Sequence, residues 1–132
     1  MTTYLVATDS DELFSLVDAA IGGSATIARV RRGQDVRPAV LELEPGLVVL
    51  DLQIGNMGGI ATCMDLRLEE GAGRLAPQRV LMLLDRPADA FLAERSGADG
   101  WVVKPIDQLQ VRRAARAVAG GGEFRDQVPA PA

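Results

Sequence analysis

Five short apolar runs divide the chain, and each ends at polar or glycine-rich residues. The runs span residues 4–7, 25–30, 47–50, 80–84 and 101–103. Most of them show no alternation with polar residues, which is typical of strands that are buried on both faces of a sheet. The second run alternates weakly, and this pattern predicts a strand at the edge of the sheet.

Segments with the helical spacing of apolar residues lie between and after these runs. We predict helices over about residues 11–21, 36–43, 59–70, 85–96 and 107–119. In the third helix, Ile60, Met64 and Leu68 share the predicted apolar face, with Cys63 beside them. The apolar residues that the last helix is predicted to bury are Leu109, Val111, Ala115 and Val118.

Five strands that alternate with five helices predict an α/β fold in which helices cover both faces of a parallel sheet. Right-handed crossovers in a sheet of this size favour the strand order 2-1-3-4-5, which is the (βα)5 flavodoxin-like three-layer sandwich. We expect one domain over residues 1–119. The glycines at 120–122 end the last helix, and the tail at 120–132 is predicted to be flexible.

Composition narrows the class of protein. The chain has 132 residues, a net charge of −4 and no histidine. The missing histidine excludes most hydrolase triads and most transition-metal sites, and the acidic balance argues against a nucleic-acid surface. We predict a cytoplasmic domain without a membrane partner. The sequence has a lone cysteine, lacks a signal-peptide pattern and contains no apolar run of membrane-spanning length.

Candidate chemistry collects where the predicted strands end. Asp9 follows the first strand, Asp51 follows the third, and Lys104 follows the fifth. The carboxyl ends of parallel strands meet at one edge of the sheet, where ligands bind. Lys104 is the only lysine beside thirteen arginines. Taken singly, Asp51 could be a turn residue, Asp9 a helix cap and Lys104 a surface residue.

In their order and spacing these segments resemble the receiver domain of bacterial response regulators. The resemblance covers nearly everything from Tyr4 to Val118. It is carried by the sequence Leu-Val-Val-Leu-Asp at 47–51, by Gly59 eight residues on, and by the segment 97–105. A member of this family that consists of the receiver alone, an atypical stand-alone receiver, is the expected identity of the chain.

The resemblance implies a role for each residue at the strand ends. Asp51 would accept a phosphoryl group from the phosphohistidine of a sensor histidine kinase or phosphotransfer protein. Asp9, Asp51 and the Gln53 carbonyl would hold Mg²⁺ together with waters. Lys104 would neutralise a phosphoryl oxygen, and the Lys104–Pro105 peptide bond would be cis.

Three positions depart from the family pattern. Thr8 stands where receivers carry the first of two adjacent acids, so Mg²⁺ binding is expected to be weakened, although the hydroxyl could still hold a metal-bound water. Leu84 stands where a serine or threonine hydroxyl follows the phosphoryl group. Trp101 replaces the tyrosine or phenylalanine of the switch, or is simply a packed core residue. Asp85 adds negative charge beside Leu84, and we expect it to cap the next helix.

Three arginines at helical spacing, Arg112, Arg113 and Arg116, mark the last helix. They form either a solvated face or a surface on which a partner docks. The resemblance favours a partner surface, because receivers commonly present their fourth and fifth helices to the proteins that they control.

The leading hypothesis is a non-enzymatic phosphoacceptor that acts by contact with an unknown downstream protein, as a monomer or weak homodimer. A pseudo-receiver that binds its partner without phosphorylation is the main alternative. From a different class, a small phosphohydrolase could use Asp51 as nucleophile. Haloacid-dehalogenase-like enzymes need a second acid two residues later, however, and Gln53 stands there.

Overall fold

A computed structural model describes residues 2–126 of the chain. Its sheet is parallel throughout and has the strand order β2-β1-β3-β4-β5-β6. The strands are β1 (Thr3–Ala7), β2 (Thr26–Val30), β3 (Leu47–Asp51), β4 (Val80–Leu84), β5 (Gly100–Val103) and β6 (Phe124–Arg125). The predicted order 2-1-3-4-5 is confirmed, and a short sixth strand extends it.

Five α-helices connect the strands and cover the sheet. They are α1 (Asp11–Ile21), α2 (Val36–Leu43), α3 (Gly59–Gly71), α4 (Ala90–Ser96) and α5 (Gln108–Ala119). The N-cap of α1 is Ser10, whose hydroxyl accepts a hydrogen bond from the backbone of Leu13 at 3.1 Å. Asp107 caps α5 in the same way through the backbone of Gln110. Short polar side chains therefore start both helices directly after the strand ends that carry the candidate chemistry.

The core has two parts, one on each face of the sheet. Residues of α1 and α5 pack on one face, and residues of α2, α3 and α4 pack on the other. Every residue of β3 and β4 is buried, as expected for central strands covered on both sides. This rigid centre fixes the end of β3, where Asp51 lies. Within residues 2–126, none of the helices is both long and apolar enough to cross a membrane.

The predicted apolar face of α3 is wrong at Met64 and Leu68, whereas Cys63 is buried as predicted. Met64 is 50% exposed and Leu68 is 71% exposed. The helix instead buries Gly59, Thr62, Cys63 and Leu66. Four residues make slightly more than one helical turn, so residues spaced by four each time move steadily around the helix. Residues that stay on one side are spaced alternately by three and four.

The prediction for α5 fails at one position. Leu109 is half exposed, although Val111 and Val118 are fully buried as predicted. Two residues along a helix rotate by more than half a turn, so Leu109 and Val111 cannot both face the sheet. The buried stripe of α5 runs through Val111, Ala114, Ala115 and Val118.

The tail prediction also needs correction. Phe124 and Arg125 pair in parallel register with Gly100 and Trp101. A Cβ atom on Gly100 would lie 2.8 Å from the Phe124 carbonyl oxygen, so the absence of a side chain there allows the approach. Residues 124–125 therefore form a strand within the predicted tail, and residues 127–132 lie outside the described residues. The flexibility of the tail stays a prediction. The predicted domain boundary at 119 stays a prediction.

Candidate functional site

The side chains predicted from the strand ends meet at one edge of the sheet. Asp9 follows β1, Asp51 ends β3 and Lys104 follows β5. Together with Gln53 they line one cavity of about 340 Å³. The topology thus brings together residues that are up to 95 positions apart in the sequence, from Asp9 to Lys104.

Asp51 is the buried acid of this cavity, with only 2% of its surface exposed. Its Oδ1 accepts hydrogen bonds from the Lys104 ammonium at 2.6 Å and from the Gln53 backbone at 3.0 Å. Its Oδ2 accepts a bond from the Thr8 hydroxyl at 2.7 Å. A buried carboxylate is costly without such partners, and both oxygens here have them.

Lys104 bridges two carboxylates. Its ammonium nitrogen lies 2.6 Å from Asp51 Oδ1 and 2.8 Å from Asp85 Oδ1. Burial by itself lowers the pKa of Lys104, but the hydrogen bonds and charges of the two aspartates outweigh it and hold that pKa above its usual value. The Lys104–Pro105 peptide bond is cis, as the family resemblance implied.

Thr8 does more than fill the place of an acid. Its side chain is fully buried, and its hydroxyl donates to Asp51 while accepting from the backbone of Ser10 at 3.1 Å. The sequence suggested that this hydroxyl could hold a metal-bound water. In the structure its hydrogen is already committed to the Asp51 carboxylate.

The oxygen donors of the site fit a small hard cation. The exposed Asp9 accepts from the Gly55 backbone through Oδ2 at 3.1 Å, and it shares the cavity with Asp51 and Gln53. Within residues 2–126, no group of three or more histidine, cysteine or acidic side chains is placed to hold a metal. Two carboxylates with a carbonyl and several waters suit Mg²⁺, which keeps part of its hydration shell.

Asp85 is the residue at this site whose role the sequence analysis missed. It does not bond the start of the following helix, where the Asp89 carboxylate accepts from the Arg86 backbone at 2.9 Å. Instead the Asp85 carboxylate accepts from the Lys104 ammonium and from the Gln53 side-chain amide. Its position directly after β4, at the same sheet edge as Asp51, was the available signal.

The two predicted switch positions are both buried. Leu84 has no exposed surface, pairs with Val103 in the sheet, and accepts from the Lys104 backbone through its carbonyl. Trp101 is 5% exposed, and the Arg125 guanidinium carbon lies 5.3 Å from the centre of its ring. Trp101 is therefore packed under the β6 segment, outside the residues that line the cavity.

The arginines of α5 lie on its exposed side and do not line the cavity. Arg112 donates to the Ala20 carbonyl at 3.2 Å and so ties α5 to α1. Arg113 and Arg116 are exposed. The partner surface remains a prediction, and the bond from Arg112 to Ala20 gives this arginine a structural role as well.

A parallel sheet of this order, with a buried aspartate and a lysine at its carboxyl edge, defines a receiver-type signalling domain. The chain belongs to the receiver domains of response regulators, and it is a signalling domain rather than an enzyme. No family model matches the chain.

Curated relatives support this membership, and solved structures share the fold. The DNA-binding response regulator MtrA of Mycolicibacterium smegmatis is 32% identical over 114 residues, which cover 86% of this chain and 48% of MtrA. The chain thus spans about half the length of the curated relatives it matches. The chemotaxis protein CheY4 of Vibrio cholerae superposes with a TM-score of 0.77 at 18% identity, over 89% of this chain and 98% of CheY4.

A second solved structure has the same fold and includes a partner protein. It is the co-crystal structure of the Saccharomyces cerevisiae histidine phosphotransfer signaling protein Ypd1 with the receiver domain of Ssk1. The TM-score is 0.79 at 18% identity, over 90% of this chain and 89% of that chain.

Proposed function

We propose that the chain is the phosphoacceptor of a two-component or phosphorelay system, phosphorylated on Asp51 with Mg²⁺ and acting through protein–protein contact. The observation that carries the proposal is the 2.6 Å contact between the buried Asp51 carboxylate and the Lys104 ammonium, inside a cavity open to a donor. A cation fixed beside a buried nucleophile is the arrangement that phosphoryl transfer requires.

The proposed reaction is a direct displacement. A carboxylate oxygen of Asp51 forms a bond to phosphorus while the bond from phosphorus to the histidine nitrogen of the donor breaks, and the electron pair leaves with the imidazole. Lys104 neutralises charge on the transferred group, and Thr8 holds the other carboxylate oxygen in position. Asp9, Asp51 and the Gln53 carbonyl would hold Mg²⁺, which supplies further charge neutralisation when bound.

Apolar residues give the cavity a second feature that suits a protein donor. Leu13 and Leu16 of α1 and Pro105 and Ile106 after β5 line the same cavity as the polar residues. We infer that a helix of a sensor kinase or phosphotransfer protein docks here and presents its phosphohistidine to Asp51, as Ypd1 suggests by its complex with a receiver domain. The proposal assigns the domain to the cytoplasm, in keeping with its single buried thiol at Cys63.

A pseudo-receiver remains the second candidate, and two observations favour it. The Thr8 hydroxyl satisfies Asp51 without a metal, and Leu84 offers no hydroxyl to follow a phosphoryl group. In this reading the domain binds its partner through the same surface, and Asp51 stabilises the fold.

Incubation with acetyl phosphate separates the two candidates. Wild-type protein with Mg²⁺ is expected to gain the mass of one phosphoryl group, and chelation of the metal should suppress the gain. Asp51→Asn should gain none, whereas the control Asp18→Asn, which alters an exposed acid on α1, should behave as wild type. Equal gain by wild type and Asp51→Asn, or no gain by wild type, would contradict phosphorylation on Asp51.

A further inference from the structure

Asp85 contacts two of the residues that line the cavity, Lys104 and Gln53. One carboxylate oxygen accepts from the Lys104 ammonium at 2.8 Å, and the other accepts from the Gln53 side-chain amide. Gln53 belongs to the loop after β3, whereas Lys104 follows β5, so Asp85 links three strand ends. Its side chain is 26% exposed, which leaves it within reach of an incoming group.

The Asp85 carboxylate uses both of its oxygens, since Lys104 donates to Oδ1 and the Gln53 amide donates to Oδ2. Near neutral pH a full negative charge stands beside the ammonium that Asp51 also uses. Of the three hydrogens on that ammonium, one is directed to Asp51 and one to Asp85.

Phosphorylation of Asp51 would disturb this arrangement. An aspartyl phosphate adds a group with about two negative charges and three acceptor oxygens. Those oxygens compete for the Lys104 ammonium, and their charge repels the Asp85 carboxylate at short range. Asp85 and a phosphoryl group on Asp51 would thus compete for the Lys104 ammonium.

We propose that Asp85 is an internal competitor for Lys104 that slows phosphorylation of Asp51 and is expelled when the phosphoryl group arrives. The inference rests on the proposed function and specifies how that site is regulated. Leu84 has no hydroxyl that could follow the phosphoryl group. Displacement of Asp85 replaces that hydroxyl as the switch, because it couples the charge on Asp51 to the segment after β4.

The segment that follows Asp85 is built to respond to such a movement. Arg86 donates its backbone N–H to Asp89, and the short turn Pro87–Asp89 leads directly into α4. Asp89 is 5% exposed, so a displacement of Asp85 would reach this buried carboxylate through its neighbour Arg86. The start of α4 therefore reports whether Lys104 is bound to Asp85 or to the phosphoryl group.

Rates of phosphorylation test the competition. With acetyl phosphate, an Asp51 oxygen forms a bond to phosphorus and acetate leaves with the electrons of the broken bond. Asp85→Asn, which is nearly isosteric but uncharged, is expected to react at least about fivefold faster than wild type, since a repulsive charge is gone. Asp85→Glu keeps the charge and should retain most of the slow rate. The matched control Asp18→Asn should stay within about twofold of wild type.

Hydrogen exchange tests the expulsion in the same samples. Amides of Arg86 and of residues 88–90 should exchange faster after phosphorylation of wild type, and they should already exchange faster in unphosphorylated Asp85→Asn. The inference is overturned if wild type gains phosphate while Asp85→Asn is no faster, if Asp85→Glu matches Asp85→Asn in rate, or if exchange at these amides does not change. Phosphate on no variant at all rejects the proposed function and the inference together.

Discussion

The Thr8 hydroxyl donates a hydrogen bond of 2.7 Å to Asp51 Oδ2, and both side chains are shielded from solvent. A receiver with an acid at position 8 would place a second negative charge there. This chain places a neutral donor there instead, so the buried carboxylate is satisfied by Thr8, Lys104 and the Gln53 backbone without a metal ion. The carboxylate therefore has all of these partners within the chain, and a bound Mg²⁺ would have one acidic ligand fewer than in a receiver with an acid at position 8.

Removal of the Thr8 hydroxyl tests this relationship. Thr8→Val keeps the shape of the side chain but leaves Asp51 Oδ2 without its donor, so the free energy of unfolding should fall by about 1–3 kcal/mol. Denaturation in urea measures the change. Thr26→Val, at an exposed position of β2, is the matched control and should alter stability by less than about 0.5 kcal/mol. Equal stability of wild type and Thr8→Val would mean that the hydroxyl does not support Asp51.

The raised pKa of Lys104 predicts a loss of stability in alkali. A lysine whose pKa is higher in the folded protein stabilises the fold fully below its unfolded pKa, and this contribution disappears as the pH rises through the folded value. The free energy of unfolding of wild type should therefore decline above about pH 10.4, the usual lysine pKa. Lys104→Met should be less stable at pH 8 because Asp51 loses its counter-ion, and its curve should converge with that of wild type in alkali. Parallel curves for the two proteins would contradict the assignment.

The centre of the fold and the main site residues follow from local sequence. Apart from Asp51, the residues of β3 and β4 are all apolar, and such a run fits a strand that is covered on both faces. Once the strands are parallel, their carboxyl ends must share one edge, which is why Asp51 and Lys104 could be paired from sequence. The sequence could not give their third partner, because the choice of Asp85 between capping a helix and contacting Lys104 depends on the path of a loop.

Features that depend on distant contacts were not predictable. The strand β6 has only two residues, Phe124 and Arg125, which is too short for any alternating pattern. It forms because the chain after α5 returns to the free edge of β5. The contacts of Arg67 also depend on distant residues, since its side chain forms hydrogen bonds with residues up to 32 positions away in the sequence.

Arg67 organises the end of the sheet opposite the cavity. Its guanidinium donates to the Gly97 carbonyl at 2.9 Å, to the Gln78 carbonyl at 2.8 Å and to Asp99 at 2.9 Å. Gly97 has a positive φ of 93°, and a Cβ there would lie 2.9 Å from Arg67 Cγ, so the two residues depend on each other.

Replacement of Arg67 by lysine should destabilise the protein by about 2 kcal/mol, because an ammonium cannot reproduce the planar set of donors. Thermal or urea unfolding measures the loss. Arg74→Lys is the matched control, because Arg74 pairs with Glu69 at 65% exposure and should cost less than about 1 kcal/mol. Similar losses for the two variants would show that the contacts of Arg67 contribute no more than a surface pair.

Trp101 provides an optical probe of β6, since it is the only tryptophan of the chain. The guanidinium of Arg125 covers its ring at 5.3 Å. Arg125→Ala should uncover the ring, so the fluorescence emission should shift to longer wavelength and acrylamide should quench it more strongly. The stability cost should be about 0.5–1 kcal/mol.

Arg95→Ala is the control for this measurement. Arg95 lies 5.5 Å from the ring of Phe91 on α4, so its removal deletes a cation–π contact without touching Trp101. An unchanged emission spectrum in Arg125→Ala would show that β6 does not cover Trp101 in solution.

The central claim is that Asp51 itself carries the phosphoryl group. The most direct measurement is reduction of the acetyl-phosphate-treated protein with borohydride, which converts an aspartyl phosphate to homoserine, followed by fragmentation of the peptides in a mass spectrometer. The account predicts homoserine at position 51 in wild type and at no position in Asp51→Asn. Homoserine at Asp9 or Asp85, or unmodified aspartate at every position, would contradict it.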